Sequence, residues 1–216
     1  MLTPQIPVAR EGYPFIGFMA FLTVVFAALS YHWLAWPCLL LTTFVLCFFR
    51  DPERFTPASE DIMVSPADGR VIIVETVTDD TFTKDQAYKI SIFMNVFNVH
   101  VNRVPIHGTV EEILYRPGKF YAADSQRGAL QNEYCGTVLR TGSGSKVAFV
   151  QIAGLIARRI VCWLEPGDKV SKGRRFGLIR FGSRVDLYLP LDTEIQVRVG
   201  QKVRAGETPI ARLSLM

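Results

Sequence analysis

Between Tyr13 and Phe49 the chain has 37 residues without a single Lys, Arg, Asp or Glu. This run constrains the fold more than any other feature. A soluble core rarely uses so long an uncharged stretch, whereas one membrane-spanning helix needs about 20 apolar residues and a pair needs about 40 plus a turn. A secretory signal would have a shorter apolar run and a small-residue cleavage site, and neither is present. The run breaks at Ser30, Tyr31 and His32, leaving two apolar stretches, Pro14–Leu29 and Trp33–Phe49. Both are short for a full crossing, so a hairpin dipping into one leaflet and two short tilted spans both fit. Arg10 precedes the run, and Arg50 and Arg54 follow it, which puts both flanks on the cytoplasmic side by the positive-inside rule. Tyr31, Trp33 and Trp36 at the break suit an interfacial position.

All 24 Lys and Arg and all 20 Asp and Glu lie outside this run. They make up about a quarter of the remaining residues, which is ordinary for a globular domain. The expected organisation is a membrane-associating N-terminal hairpin over 1–56 and one globular domain over 57–216. The net charge of +4 is spread along the chain, consistent with weak attraction to anionic lipid. No basic cluster dense enough for nucleic acid is present. Cys38, Cys47, Cys135 and Cys162 have no metal or redox spacing, so a reducing compartment and no cysteine chemistry are expected. The three histidines, His32, His100 and His107, are scattered and give no metal site. His107, between Pro105 and Gly108, reads as a surface turn.

Beyond Pro57 the apolar runs become short. Val71–Val74, Tyr88–Phe93, Val147–Ile152 and Val185–Leu189 read as strands, while Phe120–Leu130 reads as a short helix or ordered loop. The expected fold class is mainly β, a β-rich α+β arrangement. Gly167-Asp168-Lys169-Val170-Ser171-Lys172-Gly173 recurs 33 residues later as Gly200-Gln201-Lys202-Val203-Arg204-Ala205-Gly206. A glycine on each side of a two-strand corner permits positive φ there. The pattern resembles the half-motif of barrel-sandwich domains, with further corners at Gly69 and Gly108. A non-catalytic, membrane-anchored carrier or adaptor is therefore the alternative reading. It lacks the modifiable lysine a carrier needs between Gly173 and Gly200.

Chemistry concentrates in two segments. In Asn98-Val99-His100-Val101-Asn102-Arg103 polar residues flank a histidine. In Arg180-Phe181-Gly182-Ser183-Arg184-Val185-Asp186 a serine follows a glycine between strand-like runs. On a glycine bend, a serine hydroxyl can attack the preceding carbonyl, giving an ester by N-to-O acyl shift. Loss of the serine α-proton then expels the acyl group, and hydrolysis of the dehydroalanine leaves an N-terminal pyruvoyl ketone.

These segments, with Phe48-Phe49-Arg50-Asp51-Pro52-Glu53-Arg54 and Val64-Ser65-Pro66-Ala67-Asp68-Gly69, resemble in order the motifs of phosphatidylserine decarboxylase proenzymes of the short bacterial type. The resemblance runs from about residue 10 to the C-terminus. It implies cleavage between Gly182 and Ser183 into a large β subunit (1–182) and a small α subunit (183–216), which stay together as a heterodimer. Ser183 would become a covalent, self-generated pyruvoyl cofactor forming a Schiff base with phosphatidylserine, whose decarboxylation yields phosphatidylethanolamine. It assigns Asp68 to maturation and His100 to proton transfer. Arg103 stands where longer family members carry a second histidine, so either His100 or Asp68 is left to activate Ser183. It also implies work at membrane lipid, on the cytoplasmic face of the inner membrane.

Overall fold

The computed structural model describes residues 7–118, 132–154, 159–180 and 183–213. Phe120–Leu130, Phe181 and Gly182 lie outside these. The chain forms two compact units, Met1–Glu53 and Arg54–Met216.

The first unit is a helical hairpin of α1 (Tyr13–Ala28) and α2 (His32–Phe48). Its turn falls at the predicted break, where Ser30 takes φ +60°. Thr23 and Thr42 hydroxyls meet across the pair at 3.2 Å. The open ends are tied together by an antiparallel bridge between Val8 and Arg50, and Asp51 N–H donates to Pro7 O at 2.8 Å. Helix α1 is apolar all round, and Phe15, Phe18, Phe21 and Val24 are exposed within the unit. The stretch Arg10–Ala28 is long and apolar enough to cross a bilayer, while α2 is shorter.

The second unit is built from antiparallel strands, as the short apolar runs predict: β1 (Ile62–Val64), β2 (Gly69–Asp79), β3 (Asp85–Met94), β4 (Val101–Arg103), β5 (Gly108–Arg116), β6 (Tyr134–Arg140), β7 (Lys146–Ala153), β8 (Ile160–Cys162), β9 (Lys169–Val170), β10 (Arg175–Ile179), β11 (Ser183–Pro190), β12 (Glu194–Ile195), β13 (Lys202–Val203) and β14 (Pro209–Arg212). Among the described residues they form one eight-stranded sheet, β13-β2-β3-β11-β7-β6-β5-β9, and two three-stranded sheets, β1-β14-β12 and β4-β10-β8. The fold is mainly β with the helical pair at its N-terminus.

The sequence repeat is a structural one. Gly167, Gly173, Gly200 and Gly206 have φ of +94°, +80°, +89° and +75°. Val71 N–H donates to Gln201 O and Gly200 N–H to Val71 O; Val110 makes the same exchange with Asp168 and Gly167. Gly206 N–H donates to Ser65 O, and Gly173 N–H to Val104 O. Two equivalent corners thus face each other, as in a barrel-sandwich. Where they meet, a Cβ on Gly206 would lie 2.8 Å from Arg103 Cδ, and one on Gly173 would lie 2.1 Å from Thr56 Oγ1.

Alternation along β11 sorts two cores. Val185, Leu187 and Leu189 join Ile90, Ile92, Phe149 and Phe176 on one face. Tyr188 packs on the other, with Phe82, Ala148, Val150 and Ile152. The second face also holds a buried ion pair. Arg184 donates from Nε to Asp186 Oδ1 at 2.5 Å and from Nη2 to Oδ2 at 2.6 Å. Burial pulls the Arg184 guanidinium down, but the hydrogen bonds and charge of Asp186 more than offset it and hold it above its usual range.

Candidate active site

Ser183 opens β11, the strand held between β3 and β7, directly opposite Met94 on one side and Ala153 on the other. Residues opposite each other in an antiparallel pair point to the same face, and residues two apart share it. Ser183 therefore shares the first core face with Val185, Met94, Ala153 and Gln151, the last opposite Val185. Its side chain is fully buried, and its Oγ has no hydrogen-bond partner among the described residues. Buried hydroxyls are nearly always bonded; Ser91 Oγ and Thr193 Oγ1 are also buried without a partner among the described residues, and Ser183 is set apart from them by the glycine that precedes it.

His100 immediately precedes β4, and Asn102 is the middle residue of that strand. Asn102 contacts two residues of the Ser183 face: its Nδ2 lies 3.7 Å from Met94 Sδ, and its Oδ1 accepts from Gln151 Nε2 at 2.9 Å. His100 O accepts from Ile179 N–H at 3.4 Å, just upstream of the Gly182–Ser183 segment. The His100 ring is buried, with Nδ1 2.9 Å from Asn98 O. A carbonyl only accepts, so Nδ1 carries a proton.

Asp68 lies at the start of β2. Arg70 pairs with Phe93 and Ser183 with Met94, so Asp68 is at the same sheet end as Ser183, two strands away, about 10 Å between backbones. Its carboxylate is engaged. Oδ2 accepts from Arg54 Nη2 at 2.8 Å, and Oδ1 from Ala205 N–H at 2.7 Å. Arg54 also donates to Glu207 Oε2 at 3.2 Å. In the equivalent corner His107 occupies the place of Asp68, its Nδ1 accepting from Lys172 N–H at 3.4 Å. The turn expected at His107 is thus the second copy of the Asp68 corner. Arg103 points away from the serine patch, donating from Nη1 to Gly173 O at 3.0 Å.

Gln151, Asn102 and Asn132 belong to this neighbourhood without having been singled out as site residues. Asn132 Nδ2 donates to Ala153 O at 2.7 Å, next to Ser183. The signal for Gln151 was a lone amide inside the apolar run Val147–Ala153, which a strand tolerates only with a partner. The fold also joins Cys135 to Cys162. The Cys135 thiol donates to the Cys162 sulfur and pulls that thiol down to about 7, against burial, while Cys135 itself is pushed far up. Spacing along the chain gives no hint of this pair. No group of three or more metal-binding side chains occurs among the described residues.

Comparison with known proteins identifies the class of enzyme that carries this arrangement. Residues 41–211 match the family model for phosphatidylserine decarboxylase. The phosphatidylserine decarboxylase proenzyme of Desulfotalea psychrophila is 63% identical over 213 residues, covering 99% of this chain and 100% of that protein. The proenzymes of Ralstonia nicotianae and Nitratidesulfovibrio vulgaris are each 51% identical, covering 97% and 99% of this chain and 97% and 98% of theirs.

The chain belongs to the phosphatidylserine decarboxylase family. It is an enzyme, a carboxy-lyase, and the non-catalytic carrier alternative is set aside. The barrel-sandwich likeness that motivated that alternative is the scaffold of a phosphatidylserine decarboxylase.

Proposed function

We propose that the chain is a proenzyme that cuts itself between Gly182 and Ser183, and that the product converts phosphatidylserine to phosphatidylethanolamine through a pyruvoyl group derived from Ser183. The observation that carries this is the buried, unpartnered Ser183 hydroxyl, beside Met94 and diagonal to Gln151, both of which Asn102 contacts. Nε2 of His100 takes the hydroxyl proton, and Oγ bonds to the Gly182 carbonyl carbon. The Gly182–Ser183 C–N bond breaks, leaving an ester and a free amine on residue 183. Removal of the Cα proton breaks the Cβ–Oγ bond and releases Gly182 as a carboxylate. Water then replaces the nitrogen, which leaves as ammonia. Asp68, at the same sheet end, supports this maturation from its corner with Arg54 and Ala205. Cutting leaves the α fragment held by β3 and β7, which supports a stable heterodimer.

Ser183 fits the pyruvoyl group because its side chain already occupies a buried position with no bond to lose. When present, the ketone supplies an electron sink for the pair left behind as CO₂ departs. The chain's residues do the rest. Met94 and Ala153 keep water from residue 183, and His100 returns a proton to the α-carbon. The tied ends of the hairpin, with Arg10 before it and Arg50 after it, favour anchorage at the cytoplasmic face, where head groups are presented.

The test is the intact mass of the denatured protein beside Ser183→Ala. Wild type should give two fragments, the smaller starting at position 183 and about 17 Da lighter than its serine form, the change expected when an amine becomes a ketone cofactor. A single uncut chain from folded wild-type protein would refute the reading.

A further inference from the structure

We infer that Gln151 is a specificity-determining residue whose Oε1 accepts a hydrogen bond from the primary amine of the serine head group. This rests on the reading of Ser183 above. Gln151 is fully buried in β7, on the face of Ser183 and diagonal to it, a separation of roughly 7–8 Å that a long side chain can bridge. Its nitrogen is committed: Nε2 donates to Asn102 Oδ1 at 2.9 Å and lies 3.5 Å from Val161 O. The Val161 carbonyl, which only accepts, sets which end of the amide is nitrogen, and Asn102 Oδ1 agrees with it. The other end, Oε1, is buried and has no donor. The space for this arrangement comes from Gly177 on β10, where a Cβ would lie 3.0 Å from Gln151 Nε2 and 2.2 Å from Val161 O.

An amide oxygen only accepts. It repels carboxylate and phosphate oxygens and takes an N–H or O–H. The ammonium of the head group is its strongest donor, and it is the group that must arrive at residue 183. An acceptor left open beside that residue, with its own nitrogen pinned by Asn102, selects a primary amine and turns it toward the reacting position. Asn102 thereby acts as a positioning residue through Gln151.

The experiment uses full-length wild type, Gln151→Met and Gln151→Glu in detergent, with mixed micelles of phosphatidylethanolamine, which has the amine and lacks the carboxylate. Cyanoborohydride joins the lipid amine to the small fragment through a new C–N bond with loss of water, and intact mass reads the fraction joined. Cleavage is read from the same spectra. Gln151→Met should cut as wild type does and trap about tenfold less lipid at sub-saturating concentration. Gln151→Glu keeps an acceptor in place and should trap within about threefold of wild type. Gln151→Met trapping at the wild-type level would overturn the inference. So would a folded but uncut Gln151→Met, which would assign the residue to maturation instead. Should Gln151→Met not fold, a cut Gln151→Glu trapping below a tenth of wild type has the same force. Wild type that neither cuts nor traps would overturn the pyruvoyl reading itself, and this inference with it.

Discussion

The Arg184–Asp186 pair, one residue beyond the serine, gives a prediction with a calculable size. Both side chains are about 1–2% exposed, and two hydrogen bonds join them. Lys89 lies 4.0 Å from Asp186 but has Glu75 at 3.8 Å as a second partner, so Arg184 bears most of the loss if Asp186 is removed. Asp186→Leu leaves a buried guanidinium without its counter-charge, which costs about 3–5 kcal/mol. Replacing both partners by apolar residues of similar volume is usually neutral or stabilising, so Arg184→Met with Asp186→Leu should fall within about 1 kcal/mol of the parent. For a chain of this size 1 kcal/mol moves the melting temperature by about 2–4 °C. The single variant should therefore melt roughly 6–20 °C lower, and the double within about 4 °C of the parent. Melting is best followed by circular dichroism in detergent in a Ser183→Ala background, where the sample is one chain. A single variant within 2 °C of its parent, or a double variant as unstable as the single, would refute the argument that an uncompensated buried charge dominates.

Other residues give further tests. His100→Ala should slow self-cleavage, read as uncut chain in the intact mass, and the fraction that does cut should decarboxylate phosphatidylserine micelles about 10²–10⁴-fold more slowly per mole, the usual worth of a positioned acid–base group. The Cys162 thiol, held down to about 7 by the Cys135 hydrogen bond, should be alkylated by iodoacetamide half-maximally near pH 7, and Cys135→Ser should move that midpoint upward; peptide mass against pH reads both. The sign for stability follows: the depressed Cys162 contributes stability above its unfolded value near 9, lost as pH falls through about 7, whereas the raised Cys135 withdraws stability above the unfolded value. Gly167→Ala meets open space at φ +94° and should cost only the left-handed strain, about 1–2 kcal/mol, while Gly173→Ala at φ +80° also meets Thr56 and should melt several degrees lower still.

Local chemistry is what the sequence exposes. The hairpin was legible because an uncharged run with one polar break has few alternatives. The corners were legible because four glycines with positive φ must be glycine. The nucleophile was legible from Gly182-Ser183 in its motif. Gln151 was not, because its partner Asn102 is 49 residues away and only the packing of β4 against β7 joins them. Cys135 and Cys162 are separated in the same way, on β6 and β8 in different sheets. Asp68 was visible as a motif residue, but its ties to Arg54 and Ala205 depend on how the second glycine corner folds back.

Strand β11 has neighbours on both sides, and residues 183–213 also supply β12, β13 and β14, each paired within a sheet. Under the proposed maturation this fixes an order of events. Ser183 is brought beside Met94 and Ala153 only when the last segment of the chain has already been threaded into the middle of the sheet. A truncated or half-folded chain never aligns its serine and so never makes a reactive ketone. Self-cleavage then works as a proofreading step, arming the enzyme only after the final piece is in place.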